Sequence, residues 1–218
     1  MKTFRIIALL IVLPFSAGLL AQTTWNMGLK AGLSLSGQSV IFRLTDKDYQ
    51  IETGNIAGPT GSLFVEYTRD KRWGIQLDAA YIPKGSSTHT ESITVHHLEG
   101  NRITENTGEQ TISRHNYLSL APQFRYRILK SGFTPYVMAG ARVDFLLAYN
   151  TDSSYPLDDQ NKVIPGLNLG AGLEAYSGSL GLFLEVLFQG DIIPVTGTEP
   201  MLINNHTGLF TIGLRYSL

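Results

Sequence analysis

The chain has 218 residues, of which 17 are basic and 18 acidic, and it contains no cysteine. A nearly neutral chain without a basic face is not suited to bind nucleic acid, and a chain without cysteine folds without disulfide bonds. After the N-terminal segment there is no run of about 18 apolar residues, which excludes a helical membrane protein.

Residues 1–21 predict a cleaved secretory signal peptide. Lys2 and Arg5 provide a positive start, an apolar core follows, and small residues precede a cleavage site after Ala21. The apolar core is shorter than the roughly 20 residues of a membrane-spanning helix. Residues 22–218 then form one domain with 15 basic and 18 acidic residues, because the leader carries two of the 17 basic ones.

The first predicted element, Trp25 to Ser36, alternates between apolar and polar residues. A period of two predicts a strand with one apolar and one polar face, and this length suits a tilted strand that crosses a bilayer. Seven further segments alternate in the same way. The eight predicted strands cover residues 25–36, 59–68, 73–82, 116–128, 133–148, 165–176, 180–189 and 207–218.

The connections alternate between short and long. Three tight turns lie at residues 69–72, 130–132 and 177–179, and the long loops are Gly37–Ala57, Pro83–Arg114, Tyr149–Val163 and Asp191–His206. The middle of the second long loop, Ile93 to Thr107, still alternates, which predicts a hairpin above the strands. This asymmetry predicts an all-β fold, an eight-stranded antiparallel transmembrane β-barrel with short periplasmic turns and long extracellular loops.

Aromatic residues support this orientation. Seven of them fall at the short-turn end of the strands and predict an aromatic girdle there: Trp25, Tyr67, Trp73, Tyr126, Phe133, Tyr176 and Tyr216. A second group near the long-loop end comprises Tyr81, Phe145, Phe188 and Phe210. Pro122 lies in the middle of a strand, where it cannot donate a ladder hydrogen bond, and it predicts a bulge or a local irregularity.

Charged residues of the inward parity are the strongest candidates for a site. They are Lys30, Glu66, Asp78, Arg125, Arg142, Asp144, Glu174, Glu185 and Arg215. Isolated buried charges are costly, so these residues are expected to pair. The interior of an eight-stranded barrel is just wide enough for side chains, which favours a salt-bridged plug. A selective conduit or a switchable gate is the alternative.

Two loop patterns could hold a metal ion. One long loop holds three histidines, His89, His96 and His97. Another holds three aspartates, Asp152, Asp158 and Asp159. Neither group has the spacing of a known zinc or calcium site, so we expect no metal and no cofactor.

A catalytic role has weak support. His206 with a nearby serine or asparagine has a faint similarity to the barrel enzymes that act on lipids. A nucleophile, a base and a residue to orient the base cannot be identified together, so we expect no catalytic activity. Glycine-rich segments such as Gly170-Ala171-Gly172 lie within a strand, where small inward residues leave room for a bulky side chain opposite.

Four segments of the chain resemble a known family. They are Gly28-Leu29-Lys30-Ala31-Gly32, Asn116-Tyr117-Leu118-Ser119-Leu120-Ala121-Pro122, Tyr136-Val137-Met138-Ala139-Gly140 and Leu169-Gly170-Ala171-Gly172-Leu173-Glu174. Together they resemble the small outer-membrane β-barrel family of Bacteroidetes, often labelled porin family or PorT-type. The resemblance implies a barrel in the outer membrane, and the PorT label implies a role in protein secretion.

These patterns predict a barrel that serves as a scaffold for its extracellular loops. The expected partners are outer-membrane lipid, the barrel-assembly machinery during insertion, and an extracellular or envelope protein bound through the loops. An accessory role in secretion, a narrow channel for small solutes and a lipid-acting enzyme remain the alternatives.

Overall fold

A computed structural model describes residues 23–43, 48–89, 94–96, 102–104, 110–129, 132–151, 161–195 and 201–218. The predicted signal peptide, His97 and the three loop aspartates lie outside the described residues. The described strands are β1 (Thr23–Arg43), β2 (Asp48–Glu52), β3 (Ile56–Arg69), β4 (Trp73–His89), β5 (Thr94–His96), β6 (Arg102–Thr104), β7 (Gln110–Arg127), β8 (Phe133–Thr151), β9 (Val163–Ser177), β10 (Leu180–Asp191) and β11 (Met201–Ser217). This part of the chain contains no helix long and apolar enough to cross a membrane.

Eight of the described strands close into an antiparallel barrel. Around the ring they follow the order β1, β3, β4, β7, β8, β9, β10 and β11, and β11 pairs with β1 to close it. Asn26 lies opposite Ser217 in this closing pair, and Leu35 lies opposite Gly208. The predicted eight-stranded all-β barrel is therefore confirmed.

The two faces of the barrel wall have opposite polarity. Along β10 the outward residues Leu182, Leu184, Val186 and Phe188 are 49–57% exposed. Glu185, between two of them, is buried in the lumen. A water-soluble protein would place its charges outside and its leucines inside, so this wall is built for an apolar surrounding.

Most of the strands extend beyond their predicted ends on the long-loop side. β1 continues past Ser36 to Arg43, β4 reaches His89, and β11 begins at Met201. The predicted loop boundaries were therefore wrong at these points. The prediction followed the alternation of apolar and polar residues, which ends at the edge of the apolar band. The backbone hydrogen bonds of a strand continue for as long as it pairs with a neighbour. The predicted hairpin between Ile93 and Thr107 is confirmed, because β5 pairs with β6 there.

No bulge forms at Pro122, but the predicted local irregularity is present, because the pairing of β7 with β8 omits Ala121 and Pro122. Pro122 lies opposite Leu77 in a continuous register between β4 and β7. The register between β7 and β8 shifts instead between Asn116 and Tyr117. A proline removes one hydrogen bond from a ladder, but this loss does not require an additional residue in the strand, so the register passes through it unchanged.

The seam between β3 and β4 opens on the long-loop side. Their pairing ends at Gly61 and Tyr81. Beyond this point hydroxyl groups replace the ladder, since Thr60 Oγ1 donates to the Tyr81 carbonyl (2.7 Å) and Ser34 Oγ donates to the Pro83 carbonyl (2.9 Å). Pro83 has no N–H to donate, so lumen side chains hold this part of β4 in place.

Small inward residues make room for large ones, as the sequence predicts. A Cβ at Gly172 would overlap the Tyr136 ring, and a Cβ at Gly213 would overlap the Phe183 ring. Both rings are buried in the lumen. The lumen is thus filled by a few large side chains that fit against glycines in the opposite strand.

Aromatic pairs mark the short-turn end. Trp25 contacts Tyr67 with ring centres 5.3 Å apart, and Trp73 contacts Tyr126 at 4.4 Å. Tyr176 was wrongly predicted to belong to this girdle. It shares the inward parity of β9, and its hydroxyl accepts hydrogen bonds from two lumen arginines. Its position two residues after the inward Glu174 already gives it this parity.

Candidate functional site: a charged lumen

The structure places all nine predicted lumen residues inside the barrel. Each is at most 5% exposed and each forms at least one ion pair. Three further charged residues, Lys84, Arg127 and Asp191, join them. The twelve residues separate into two groups along the barrel axis.

The larger group, here called the turn-side cluster, consists of Lys30, Glu66, Asp78, Arg125, Arg127, Glu174, Glu185 and Arg215. Its base is built from three arginines that share two glutamates. Glu174 Oε2 accepts from Arg215 (2.9 Å) and Arg125 (3.3 Å), and Oε1 accepts from Arg127. Glu66 pairs with Arg215 (2.6 Å) and with Arg127 (3.0 Å). Such charge-assisted bonds hold the arginines in fixed positions.

Lys30 connects the upper part of this cluster. Its Nζ lies 2.7 Å from Glu185 and 3.1 Å from Asp78. Gln76 and Gln123 also donate to the Asp78 carboxylate, at 2.8 and 2.7 Å. All three donors reach Oδ2, whereas Oδ1 has no partner, so the buried carboxylate is only partly compensated for its lost hydration.

Aromatic rings fill the space between these charges. The Arg125 guanidinium lies 4.0 Å from the centre of the Tyr136 ring, and the Tyr136 hydroxyl donates to Glu185 (3.0 Å). Phe64 and Phe183 meet edge to face at 5.7 Å. The cations therefore lie against π faces as well as carboxylates, which packs the cluster without a continuous opening.

The smaller group, here called the loop-side cluster, consists of Lys84, Arg142, Asp144 and Asp191. Lys84 Nζ lies 2.6 Å from Asp144, and Arg142 bonds both Asp144 and Asp191. Asp191 also accepts a hydrogen bond from the backbone N–H of Asn205 (3.1 Å). This cluster ties strands β4, β8, β10 and β11 together.

A chain of neutral hydrogen bonds crosses the loop end of the lumen. Ser86 Oγ donates to Gln38 Oε1 (2.7 Å), and Gln38 Nε2 donates to Asn205 Oδ1 (2.9 Å). These contacts join β4, β1 and β11, although β4 is not adjacent to β1 in the ring. The part of β4 beyond Tyr81, which no longer pairs with β3, thus helps to cover the loop end of the lumen.

A cavity of about 20 Å³ lies between the two clusters. That volume is enough for about one water molecule. Several of the polar atoms around it have no hydrogen-bond partner: Asp78 Oδ1, Ser119 Oγ, Gln123 Oε1, both amide atoms of Asn168, Gln189 Oε1 and Thr211 Oγ1. The middle of the lumen therefore combines unpartnered polar atoms with the buried apolar side chains of Ile82, Leu187 and Leu209, and ion pairs lie on both sides of it.

The charges inside the barrel balance. The two clusters contain six cations and six anions. Burial of such pairs contributes little net stability, but removal of one partner leaves an uncompensated charge at a cost of about 3–5 kcal/mol. The arrangement can thus fill and stiffen the barrel, and it offers no free charge to select a solute.

The predicted loop residues give no built site in the part of the chain that the structure describes. No group of three or more histidine, aspartate or glutamate side chains there could hold a metal ion. His206 lies beside Gly37 and Asn55. The neighbouring Ser36 hydroxyl donates weakly to the backbone carbonyl of His206 (3.4 Å), so Ser36 and the imidazole do not form a nucleophile–base pair.

The sequence reasoning missed three of the twelve lumen charges. Arg127 has the parity of Arg125 and lies within the predicted strand. Lys84 and Asp191 have the inward parity of their strands but fall just beyond the predicted ends. Extension of each strand by two residues past its predicted end, at residues 82 and 189, would have found both.

Comparisons with known proteins agree with this geometry. The family described as outer membrane protein beta-barrel domain matches residues 20–190, and the chain belongs to this family. No curated protein matches the sequence. The protein is therefore an outer-membrane β-barrel, and the predicted outer-membrane localisation is confirmed.

Several solved structures of outer-membrane proteins are similar to this chain, one of them with a TM-score of 0.50. The outer membrane protein AlkL in lipid bilayers is 15% identical, with a TM-score of 0.50 and 93% of each chain covered. Neisserial surface protein A is 11% identical, with a TM-score of 0.47, 87% of this chain and 96% of that chain. The Escherichia coli outer membrane protease OmpT is 8% identical, with a TM-score of 0.49, 93% of this chain and 99% of that chain. At these identities the likeness concerns the fold alone.

Proposed function

We propose that this protein is a closed scaffold in the outer membrane and that its extracellular loops carry out its function by binding another molecule. The observation that supports this proposal is the closure of the lumen at two levels, with room for about one water molecule between them. A barrel with no through path acts through its surfaces, and the lipid-facing band is occupied by lipid. The two ends of the barrel remain, and the loop end carries the four long connections.

The charge of the loops supports a cationic partner. Apart from Lys84 and Asp191, which pair in the lumen, the four predicted loops contain eleven acidic and five basic residues. An excess of one sign steers oppositely charged partners and makes their binding sensitive to salt. The partner is therefore an extracellular or envelope protein, or another cationic molecule, that meets an acidic surface.

Loop replacement tests this proposal. To keep every lumen contact, only residues 44–47, 90–109, 152–160 or 196–200 are replaced in turn by an Asn-Gly turn, and chemical crosslinking on intact cells compares these four loop variants with the unchanged protein. We expect the variants to insert, to migrate as folded barrels on gels, and to lose a salt-sensitive crosslinked species. Ser119→Ala, which alters the lumen, serves as the control and keeps that species. Retention of every crosslink by all four loop variants would contradict the proposal.

We also propose the narrower assignment to the small Bacteroidetes barrels of the PorT type, with an accessory role in protein secretion. Support comes from the four sequence segments that resemble that family, among them residues 116–122 and 169–174. Deletion of the gene should then leave secreted proteins inside the cell, and expression of the Ser119→Ala variant should restore their export. Unchanged secretion in the deletion strain would contradict this role.

A channel is the second candidate, and the polar cavity between the clusters favours it. The two clusters block the lumen in series, so opening one leaves the other closed. In planar bilayers we expect no conductance for the unchanged protein, for Asp144→Ala or for Glu174→Ala, and measurable conductance for the double variant. Conductance by the unchanged protein would favour the channel over the closed scaffold.

A lipid-acting enzyme is the least supported alternative, and we propose that the protein has no catalytic activity. His206 would be its base, yet Ser36 engages the backbone rather than the imidazole. Hydrolysis of phospholipid or of lipid A by the purified protein, abolished by His206→Ala, would overturn this proposal.

A further inference from the structure

The first short turn, between β3 and β4, concentrates positive charge at one point of the barrel. Its sequence is Arg69-Asp70-Lys71-Arg72, and all four residues are exposed. Three cations share one carboxylate there, and Arg69 Nε lies 3.7 Å from Asp70 Oδ2. Among the described residues of the short-turn end, no other exposed side chain carries a charge. This segment, here called the rim turn, therefore has an excess of two cations over its single anion.

The rim turn lies at the edge of the lipid-facing surface. Arg69 is exposed two residues after Tyr67 in β3, and its partner in β4 is Trp73. The Trp73 ring contacts the rings of Tyr126 and Phe124, with centres 4.4 and 5.0 Å apart. An aromatic girdle marks the level of the lipid headgroups, and the short turns of an outer-membrane barrel are periplasmic. Arg69 therefore lies at the depth of the phosphate groups of the periplasmic leaflet.

The backbone of the rim turn is strained. The Arg72 N–H donates to the Arg69 carbonyl (3.2 Å), and the two central residues have positive φ, 54° at Asp70 and 56° at Lys71. Turns of this kind favour Asn-Gly or Asp-Gly, because a lysine side chain is strained at positive φ. The turn between β9 and β10 places Gly178 at such a position (φ 63°). A strained residue where glycine would fit points to a use for its side chain.

We infer that the rim turn binds the phosphate group of an anionic phospholipid in the periplasmic leaflet. The Arg69 and Arg72 guanidinium groups donate to the phosphate oxygens, for which their geometry is suited. The acyl chains lie along the neighbouring apolar band, where Trp73 is 45% exposed and Ile75 is 57% exposed. Lys71 also borders the mouth of the lumen, and its charge attracts the headgroup within a Debye length of about 10 Å at 0.1 M salt.

The position and the charge of the rim turn favour a lipid over a soluble anion. The cations adjoin apolar side chains, so a ligand with a hydrocarbon chain gains contacts that free phosphate cannot make. The excess of cations favours an anionic headgroup over a zwitterionic one, because each lysine or arginine near an anionic surface adds attraction. The acidic loops lie at the opposite end, so the two ends of the barrel attract opposite charges.

The two tryptophans make a local test possible. The chain has two tryptophans, Trp25 and Trp73, and both lie in the girdle, beside Tyr67 and Tyr126. The folded protein is placed in phosphatidylcholine vesicles that contain a minor fraction of chain-brominated phosphatidylglycerol or chain-brominated phosphatidylcholine, and the quenching of tryptophan fluorescence is measured. We expect a preference for phosphatidylglycerol of about tenfold at low salt, falling to less than about twofold at high salt.

Substitutions in the rim turn locate the lipid. Arg69→Gln and Arg72→Gln should each lower the preference by about two- to fivefold, the scale of one cation near a membrane surface. Asp70→Asn should raise the preference, because it removes the competing carboxylate. Lys162→Gln, the matched control, removes an exposed cation at the loop end and should leave the preference unchanged.

Lys71→Gly separates the charge from the strain. Glycine adopts positive φ without strain, so this variant should raise the urea midpoint of unfolding in phosphatidylcholine vesicles. The same variant should lower the preference for phosphatidylglycerol, because it removes a cation. A purely structural lysine would give the opposite pattern, a lower midpoint and an unchanged lipid preference.

Several results would overturn the inference. These are equal quenching by the two brominated lipids, and equal effects of Arg72→Gln and Lys162→Gln. Inorganic phosphate should reduce the quenching no more than sodium chloride of the same ionic strength, and a larger reduction would assign the rim turn to free phosphate instead. Each variant is first shown to be folded by its gel mobility before and after heating. The loop-replaced proteins keep the lipid preference, so this test is independent of the function proposed for the loops.

Discussion

The outer and inner faces of this barrel are made by alternate residues of the same strands, and they are stabilised in opposite ways. On the outer face of β10, Leu184 and its neighbours of the same parity are more than half exposed or close to it, and they have no polar contacts to satisfy. On the inner face, Glu185 contacts Lys30, Arg125 and Tyr136. The outer face tolerates any apolar side chain, whereas the inner face depends on specific partners.

This difference teaches which substitutions matter. An outer side chain can be replaced by an apolar side chain of another shape but not by a charged one, because lipid cannot solvate a charge. An inner side chain tolerates neither a change of charge nor a change of size, because its charged groups have specific partners and the space around it is fixed. The predictions below test this contrast in order of decreasing effect.

The largest effect is expected for Glu174→Gln. Glu174 accepts hydrogen bonds from Arg125, Arg127 and Arg215, so removal of its charge leaves Arg127 and Arg215 with Glu66 alone, and Arg125 with Glu66 and Glu185. The free energy of unfolding in lipid, measured by urea titration, should fall by about 3–5 kcal/mol. Asp70→Asn, which removes an exposed pair with Arg69, is the control and should cost at most about 1 kcal/mol. A loss below that level for Glu174→Gln would contradict the contrast.

A charge on the outer face should have the next largest effect. Leu184 is 57% exposed in the middle of β10, so Leu184→Arg places a cation in the apolar band. The expected cost is about 2–4 kcal/mol by the same measurement, falling to about 0–1 kcal/mol near the interface. Ile192→Arg, at the first residue beyond the loop end of this strand, is the matched control. Equal costs at the two positions would mean that the outer face does not lie in lipid.

A methyl group in the lumen should have a smaller effect. Gly213 lies against the Phe183 ring, so Gly213→Ala forces the ring to move at a cost of about 1–3 kcal/mol. Gly190 has no atom within 4 Å of the corresponding position, and Gly190→Ala should be nearly neutral. A neutral Gly213→Ala would show that the packing of the lumen can rearrange.

The smallest effect is expected in the girdle. Trp73 contacts Tyr126 at 4.4 Å and Phe124 at 5.0 Å between ring centres. Trp73→Leu keeps an apolar side chain but removes both aromatic contacts, which should reduce the free energy of unfolding by about 1 kcal/mol. A cost as large as that of Glu174→Gln would place the main stabilisation of the barrel outside the lumen.

The sequence by itself determined the strands, their number and the orientation of nearly every residue in them. Alternation such as that from Trp25 to Leu35 has one interpretation when one side is lipid and the other a packed lumen, because a shift of one residue would invert every side chain. Parity therefore placed Lys30, Glu185 and Arg215 inside before any neighbour was known. The predicted orientation of the barrel came from the alternation of short turns and long loops, which can also be read from the sequence alone.

The tertiary structure alone decided where the pattern stops and which charges meet. Lys84 and Asp191 entered the lumen because β4 and β10 continue beyond the apolar band, and backbone pairing with a neighbour leaves no signal in the strand's own sequence. Hydrogen bonds from Arg127 and Arg215, on other strands, hold the Tyr176 hydroxyl in the lumen. Partners in ion pairs lie up to 155 positions apart in the chain, and such distances are set by ring closure rather than by any local pattern.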